Sequence, residues 1–189
     1  MAALSLPVRS LSYPDPALSD GRIGLRRWRE TDVECIRLAG MDPRIPRGTT
    51  VPAVYTPDEG LAFIHRQWRR VESGEGVSQA IVEAASDRAV GLMWVAVRPQ
   101  PHVGGLGYWI VPPARGQGVA TAAVRLAVPW VMDAWDLRRL EAWVEPENLA
   151  SQRVLSRAGF QQEGRLRNFL THDHQSSDAL VFSIIPPRD

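Results

Sequence analysis

The stretch that decides the fold is Leu106-Gly107-Tyr108-Trp109-Ile110-Val111-Pro112-Pro113-Ala114-Arg115-Gly116-Gln117-Gly118-Val119-Ala120-Thr121. Its apolar first part, residues 106–111, predicts a strand that stops at the two prolines. A short turn with two glycines follows, and a helical pattern begins at Gly118. Because the first turn of a helix carries amides without partners and the positive end of the helix dipole, the stretch predicts an anion site.

The two glycines of this turn favour a phosphate as the anion. Gly116 and Gly118 have no side chain, so a pyrophosphate can approach the backbone closely. A P-loop would need a lysine, and all 22 basic residues of the chain are arginine. The dinucleotide pattern G-x-G-x-x-G would need a third glycine where the chain has Thr121. Both of these common phosphate motifs are therefore excluded.

Upstream of the turn, the sequence predicts an extended arm, a strand, two helices and a β-hairpin. Thr31-Asp32 and Thr56-Pro57 are helix starts with capping chemistry, and the second helix runs to about Glu72. The remaining predicted segments are the arm over residues 1–20, a strand over 23–28, a proline-rich loop over 43–52, and hairpin strands over 78–84 and 90–98.

Downstream, the helix from Gly118 meets Pro129, which predicts a kink or an early end. A strand over 140–144, a short helix over 148–158, and two final strands over 160–164 and 179–185 complete the pattern. The order is strand, two helices, three strands, helix, strand, helix, two strands. It predicts an α/β layer fold with a sheet covered on both faces, in one domain over residues 21–189.

Composition and charge narrow the class of protein. With 44% hydrophobic and 23% charged residues, the chain has the make-up of an ordered globular domain. A net charge of +1 predicts no nucleic-acid partner, because such proteins concentrate basic charge on one face. No apolar run approaches the ~18 residues of a membrane span, and residues 1–20 lack a signal-peptide pattern. We therefore expect a cytoplasmic protein without membrane contact, in which the single cysteine, Cys35, is a buried apolar residue.

The turn also carries a resemblance to a known family. Arg115-x-x-Gly118-x-Ala120 matches the pyrophosphate motif of the GNAT N-acetyltransferases, Gln/Arg-x-x-Gly-x-Gly/Ala. A second run, from Asn148-Leu149-Ala150-Ser151 to Gly159-Phe160, resembles the ribosomal-protein N-terminal acetyltransferase branch. The resemblance covers roughly residues 22–186. It implies a central mixed, mostly antiparallel sheet with helices on both faces, and acetyl-CoA as cosubstrate.

The resemblance also implies which residues contact the cofactor. It places the pyrophosphate at the turn, the pantetheine in a slot between two splayed strands, and the thioester carbonyl near the backbone amides of Ile110 and Val111. The implied cofactor-binding residues are Ile110, Val111, Arg115, Gly116, Gln117, Gly118, Val119, Ala120, Thr121, Asn148 and Ser151. Asn148 is equally a good N-cap for the helix that follows. Ser151 is implied near the sulfur, where it could protonate the leaving thiolate, or it is an ordinary first-turn residue.

Direct attack by an amine on the acetyl group, as the resemblance implies, needs a neutral amine. Near physiological pH, deprotonating a lysine side chain with a pKa of about 10.4 costs about 4 kcal/mol of free energy. Deprotonating an α-amine with a pKa of about 7.8 costs under about 1 kcal/mol. The strand over 106–111 offers no carboxylate or histidine. Glu141 and Glu145, on one face of the next strand, are the candidate bases, although a solvated sheet face explains them equally well. Glu83 is a third, weaker candidate.

Three further features bear on the substrate side. His172-Asp173-His174 has the residue types of a metal site but no partner cluster, so we expect no metal. Trp68, flanked by His65 and Arg69, could line the acceptor site that the early helices shape in the family. Acceptor specificity is expected in residues 41–56, in the second helix and near residues 166–176.

Several functions stay open at this stage. The leading one is acetylation of a protein or peptide N-terminal α-amine. Acylation of a small-molecule amine, use of a larger acyl-CoA, and a non-catalytic acyl-CoA sensor are the alternatives, and a flavin or nucleotide site lacks the matching fingerprints. Exposed strands near the C-terminus would suit a homodimer.

Overall fold

The computed structural model describes residues 11–172 and 175–186. Its strands are β1 (Leu18–Ser19), β2 (Ile23–Arg26), β3 (Gly76–Glu83), β4 (Ala89–Val97), β5 (Val103–Ile110), β6 (Arg139–Val144), β7 (Gln161–His172) and β8 (Gln175–Ile184). Its α-helices are α1 (Val33–Gly40), α2 (Arg44–Gly48), α3 (Pro57–Glu72), α4 (Val119–Ala134) and α5 (Leu149–Arg157), with 3₁₀ turns at Glu30–Asp32 and Pro112–Ala114. The predicted order of main elements is confirmed.

All eight strands form one sheet in the order β1-β2-β3-β4-β5-β6-β8-β7. Every neighbouring pair is antiparallel except β5 and β6, so the predicted mixed, mostly antiparallel sheet is confirmed. The parallel pair is short, because Val103–Gly105 matches Arg139–Glu141 and the pairing then stops. Beyond that point the two strands separate, as expected from the resemblance.

Helices cover both faces of the central strands. Residues 77–82 of β3 are buried without a break, and successive side chains of a strand point to opposite faces. On one face α1 and α3 pack together and against β3 and β4, while α4 crosses β2, β4, β5 and β6 and meets α5. Cys35 lies buried in the core, as predicted.

The structure differs from the sequence prediction in the segments where local signals conflict with packing. Helix α2 lies inside the predicted proline-rich loop; Pro46 is tolerated there because first-turn amides have no intrahelical partner. Helix α4 passes through Pro129 instead of ending early. Part of the predicted arm pairs with β2 as β1.

The last hairpin is longer than predicted. Strand β7 runs over Gln161–His172 and is exposed along most of its length, so it lacks the alternating apolar pattern that reveals a strand. Its stability comes from backbone pairing with β8. The extra length carries His172 past the end of β6, and a Cβ on Gly48 of α2 would lie 3.9 Å from its ring.

Helix α5 is held at both ends by local chemistry. The side chain of Asn148 caps it by accepting a hydrogen bond from the amide of Ser151 at 3.1 Å. Gly159 follows the helix with a φ of +94°, which is a glycine conformation. Leu155 is fully buried and anchors the helix to the core. The predicted cap is therefore confirmed, and it places Ser151 in the first turn.

Within the described ranges, no helix is long and apolar enough to span a bilayer. Asp173 and His174 of the predicted metal triplet lie outside those ranges. The described residues contain no group of three or more side chains placed to hold a metal ion.

We expect Leu155→Ala to lower the free energy of unfolding by about 2–5 kcal/mol, because it leaves a cavity where a leucine is fully buried. Leu149→Ala is the matched control, since Leu149 begins the same helix but is 57% exposed. Denaturant unfolding measures both. Equal losses in the two variants would show that α5 is not anchored through Leu155.

Candidate active site

The gap between β5 and β6 leaves part of the β5 backbone without a strand partner. The amide of Val111 donates to the carbonyl of Val90 at 2.9 Å, so it is already used within the sheet. Hydrogen bonding alternates along an antiparallel pair, and the amides of Tyr108 and Ile110 therefore face away from β4, into the gap. Of the two amides expected to hold a carbonyl oxygen, the geometry leaves Ile110 available.

The gap has two different faces. Trp109 packs against Trp28 and against Phe63 of α3, with ring centroids 6.2 and 6.4 Å apart. Tyr108 and Ile110 alternate with Trp109 and so point to the opposite face, where α4 and α5 lie. Glu141 is in register with Gly105, which places its side chain on the face of Trp109.

On the α5 face, Tyr108 and Ser151 form a bridge across the gap. The two hydroxyl oxygens are 2.7 Å apart. Burial raises the pKa of Tyr108 to about 12, while the Ser151 hydrogen bond lowers it, so the phenol stays protonated at neutral pH. Tyr108 belongs to the decisive stretch but was not predicted as a site residue. Strand alternation would have predicted that the Tyr108 side chain faces the slot. The sequence gives no local signal for its hydrogen-bond partner on α5, Ser151.

The glycine turn has the backbone geometry of an anion cradle. Gly116 and Gly118 have φ values of +75° and +76°, and Gly118 is the N-cap of α4. The first helical bond runs from Ala122 to the Gly118 carbonyl at 3.0 Å. The amides of Val119, Ala120 and Thr121 consequently have no partner within the helix. A Cβ added at Gly116 would meet nothing within 4 Å, so the space before these amides is open.

The side chain of Arg115 does not point toward this open space. Its guanidinium donates to the Ile110 carbonyl at 2.8 Å and to the carboxylate of Asp42 at 2.5 Å. Asp42 is buried, and hydrogen bonds from Arg44 and from Arg115 hold the pKa of its carboxyl well below the usual range. Arg115 therefore ties the turn to the corner between α1 and α2, and its guanidinium is already engaged there.

A different set of arginines faces the cradle. The side chain of Arg22 donates to the Gln117 carbonyl at 2.9 Å. A groove of about 540 Å³ runs from the turn along α4. Its lining residues are Asp20, Arg22, Gly118, Thr121, Ala122, Arg125, Leu126 and Arg157. Sequence reasoning missed these arginines, because they come from three separate elements and no motif joins them.

The structure separates the two predicted carboxylate bases. Glu141 lies at the closed end of the gap, and its carboxylate is 3.6 Å from Arg98 and 3.2 Å from Arg139. Glu145 lies just past the end of β6, at the open end, and accepts a hydrogen bond from Ser177 at 3.1 Å. Glu145 is therefore better placed than Glu141 to reach a group entering the gap.

Two of the three segments expected to set acceptor specificity, residues 41–56 and the region near 166–176, meet around Glu145. Arg47 of α2 lies 3.7 Å from its carboxylate and His172 of β7 lies 3.9 Å from it. Gly48 is close to the His172 ring. Two aromatic residues lie on strands β6 and β7: Trp143 contacts Phe169 edge-to-face, with ring centroids 4.7 Å apart. The α2 segment and the β7–β8 hairpin thus form two walls of one opening.

Other candidates lie elsewhere. Glu83 pairs with Arg88 in the β3–β4 turn. Trp68 donates to the Trp28 carbonyl at 2.9 Å and His65 lies 2.7 Å from Glu30, so both brace α3 against the end of β2.

With this geometry in hand, comparison with known proteins identifies the class. The model of the acetyltransferase (GNAT) domain matches residues 22–161, well over half of the chain. The chain therefore belongs to the GNAT acetyltransferase family, and it is an acetyl-CoA-dependent N-acetyltransferase.

Individual relatives agree with this assignment. The chain is 33% identical over 137 residues to the probable N-acetyltransferase YjcK of Bacillus subtilis (strain 168), covering 71% of this chain and 76% of the relative. It is 30% identical over 91 residues to the [ribosomal protein uS5]-alanine N-acetyltransferase of Escherichia coli (strain K12), covering 48% of this chain and 47% of the relative. The crystal structure of the microcin C7 self-immunity acetyltransferase MccE in complex with acetyl-CoA and AMP superposes with a TM-score of 0.78 at 18% identity, covering 94% and 99% of the two chains, which shows the fold.

We expect Arg115→Ala to change the affinity for CoA less than about threefold and to lower the free energy of unfolding by about 1–3 kcal/mol, because the buried Asp42 loses a cationic partner. Isothermal titration calorimetry measures the first and denaturant unfolding the second. The Arg115→Ala/Asp42→Asn double variant should regain part of the stability. A tenfold loss of CoA affinity at unchanged stability would mean that the guanidinium binds the phosphate after all.

Proposed function

We propose that this N-acetyltransferase transfers the acetyl group of acetyl-CoA directly to the α-amine of a protein or peptide N-terminus. The observation that carries the proposal is the two-faced gap between β5 and β6. Ser151 and Tyr108 lie on one face of it, and Glu145 stands at the open end of the other face. Donor and acceptor can therefore approach from opposite sides and meet between the strands.

On the donor side, the amides of residues 116–121 bind the pyrophosphate, and the gap takes the pantetheine arm between β5 and β6. The amide of Ile110 then faces the thioester carbonyl, where negative charge develops as the amine attacks. Asn148, as the cap of α5, keeps Ser151 in place beside the sulfur. These assignments follow from the unpartnered backbone groups and from the positions of the two glycines.

On the acceptor side, Glu145 takes the proton that the amine loses. The nitrogen forms a bond to the acetyl carbon, the carbon–sulfur bond breaks, and its electron pair leaves on the sulfur. The hydroxyl of Ser151 donates a hydrogen bond to that thiolate. One proton has moved from nitrogen to Glu145 and on to solvent, so the products are the amide and the CoA thiolate.

The free energy of making the amine neutral favours an α-amine over a lysine side chain. Glu145 is half-buried and already accepts a hydrogen bond from Ser177, near Arg47. An α-amine demands less of any carboxylate base, because it becomes neutral at under about 1 kcal/mol, whereas a lysine side chain needs about 4 kcal/mol. The relative that acetylates ribosomal protein uS5 on alanine supports the same choice.

A small-molecule amine is the second candidate. The opening between α2 and the β7–β8 hairpin is bounded by Arg47 and His172, which could also enclose a compact acceptor. The structural neighbour that was crystallised with acetyl-CoA and AMP supports this alternative. Acetylation of N-terminal peptides but not of small amines would decide between them.

Gly118→Trp should abolish binding of acetyl-CoA, because the new side chain would occupy the space in front of the α4 amides. Calorimetric titration of the wild type should give a micromolar dissociation constant. Gly164→Trp is the control, since Gly164 lies on β7 and a Cβ there meets nothing within 4 Å, whereas a Cβ at Gly118 would lie 3.6 Å from a guanidinium nitrogen of Arg22. Cooperative thermal unfolding checks that each variant is folded. Lack of acetyl-CoA binding by folded wild-type protein would reject the proposed donor site.

Glu145→Gln should lower kcat for an N-terminal peptide by about 10–100-fold with little change in KM for acetyl-CoA, because it removes the base but not the donor site. The loss should shrink for acceptor amines of low pKa, which are already neutral. Glu141→Gln is the matched control, since Glu141 lies on β6 four residues before Glu145, and it should leave kcat within about threefold. If Glu141→Gln costs more activity than Glu145→Gln, the base has been assigned to the wrong carboxylate.

A further inference from the structure

A group of arginines lies beyond the glycine turn, outside the pyrophosphate cradle. Arg125 of α4 and Arg157 at the end of α5 line the 540 Å³ groove together with Arg22. A second groove, of about 420 Å³, continues from Arg157 along α5 and is lined by Leu149, Gln152, Arg153, Ser156 and Arg157. The positive charge therefore extends from the start of α4 to the end of α5.

The arginines that line the two grooves are Arg22, Arg125, Arg153 and Arg157, and none of them forms an ion pair with a carboxylate in the described part of the chain. Arg125 donates to the backbone carbonyl of Arg157 at 2.6 Å, which holds its guanidinium next to the end of α5. The Arg125 guanidinium therefore lies beside the end of α5 that carries Arg157, and two cationic residues that line one groove favour the binding of an anion there.

The acidic residue of the groove, Asp20, is hydrogen-bonded within its own loop. Asp20 accepts hydrogen bonds from the amides of Arg22 and Ile23 at 2.9 and 2.7 Å, within its own loop. Those backbone bonds, the Ile23 amide first, lower the pKa of the carboxyl. Asp20 thus caps the loop before β2, and the Arg125–Arg157 side of the groove stays cationic.

CoA carries phosphate in two places, a pyrophosphate and a phosphomonoester, and the groove likewise presents the glycine turn and the two arginines at separate places. Arg125 lies seven residues after Gly118, and an α-helix rises about 1.5 Å per residue, so their Cα atoms are about 10 Å apart along the axis. A pyrophosphate on the α4 amides would place the ribose, which bears its phosphomonoester at the 3′ position, farther along the same groove. Arginine suits such a group because its fork can bind a phosphate through two hydrogen bonds.

We propose that Arg125 and Arg157 form a second anion subsite that binds the 3′-phosphate of CoA and makes the protein distinguish CoA from dephospho-CoA. This rests on the proposed donor site, because the pyrophosphate must first be held at the turn. The subsite is separate from that turn: the turn binds with backbone amides, whereas this site binds with two side chains from different helices.

The test is calorimetric titration of the full chain with CoA and with dephospho-CoA at fixed ionic strength. The wild type should bind CoA about 10–100-fold more tightly, the gain expected of two charge-assisted contacts. In the Arg125→Gln/Arg157→Gln variant, the CoA affinity should fall to that of dephospho-CoA, and the dephospho-CoA affinity should stay within about twofold of wild type. Arg138→Gln/Arg167→Gln, with the same loss of charge at two exposed arginines outside both grooves, should keep the preference.

The possible outcomes separate this proposal from the one it rests on. Equal affinities of the wild type for CoA and dephospho-CoA would overturn the subsite and leave the donor site intact. Equal losses for both ligands in the Arg125→Gln/Arg157→Gln variant would overturn it too, because the arginines would then act on the pyrophosphate. No binding of either ligand to folded wild type would reject the donor site itself, and the subsite with it.

Discussion

The structure depends on the point where β5 and β6 stop sharing backbone hydrogen bonds. A parallel pair that ends after three residues leaves amides and carbonyls along the rest of both edges, and such groups need other partners. The Ile110 carbonyl receives its partner from Arg115, while the amides on that edge stay open to the gap. Strands β1 to β4 continue the sheet on one side of this break, and β8 and β7 continue it on the other. The gap is therefore a slot within the frame of the sheet and not one of its edges.

The frame also separates two groups of side chains. Alternation along β5 sends Tyr108 to the face of α5 and Trp109 to the face of α3, so one strand contributes to both sides. The hydroxyl pair of Tyr108 and Ser151 bridges the slot on the face of α5, whereas Glu145 sits with Arg47 at its open end. In the function that we propose, the residues that handle the thiol and the amine therefore occupy different places.

Because the chain has no lysine, arginine supplies every cationic side chain other than histidine, and the arginines around the turn fall into two groups. Arg115, which the pyrophosphate motif singles out, neutralises buried Asp42 and braces the corner between α1 and α2. Arg22 instead reaches the turn from the loop before β2, where it donates to the Gln117 carbonyl, and Arg125 and Arg157 stand farther along the groove. The motif therefore coincides with a turn of two left-handed glycines at the start of α4, while the other cationic side chains around the turn come from remote positions.

The sequence by itself determined the elements whose signals are local. Four features of the sequence were enough: the stretch from Leu106 to Thr121, the caps at Thr56 and Asn148, and the second motif around Ser151. They predicted the order of the elements, the sheet type, the family and the position of the glycine turn. Such predictions are possible because strand alternation, capping and left-handed glycines act within a few residues. Only the tertiary structure decided which of Glu141 and Glu145 faces the opening, that Tyr108 meets Ser151, and that Arg115 turns toward Asp42. Those outcomes depend on pairings between residues far apart in the chain, 43 positions for Tyr108 and Ser151 and 73 for Arg115 and Asp42, and no local preference encodes which distant partner a side chain will find.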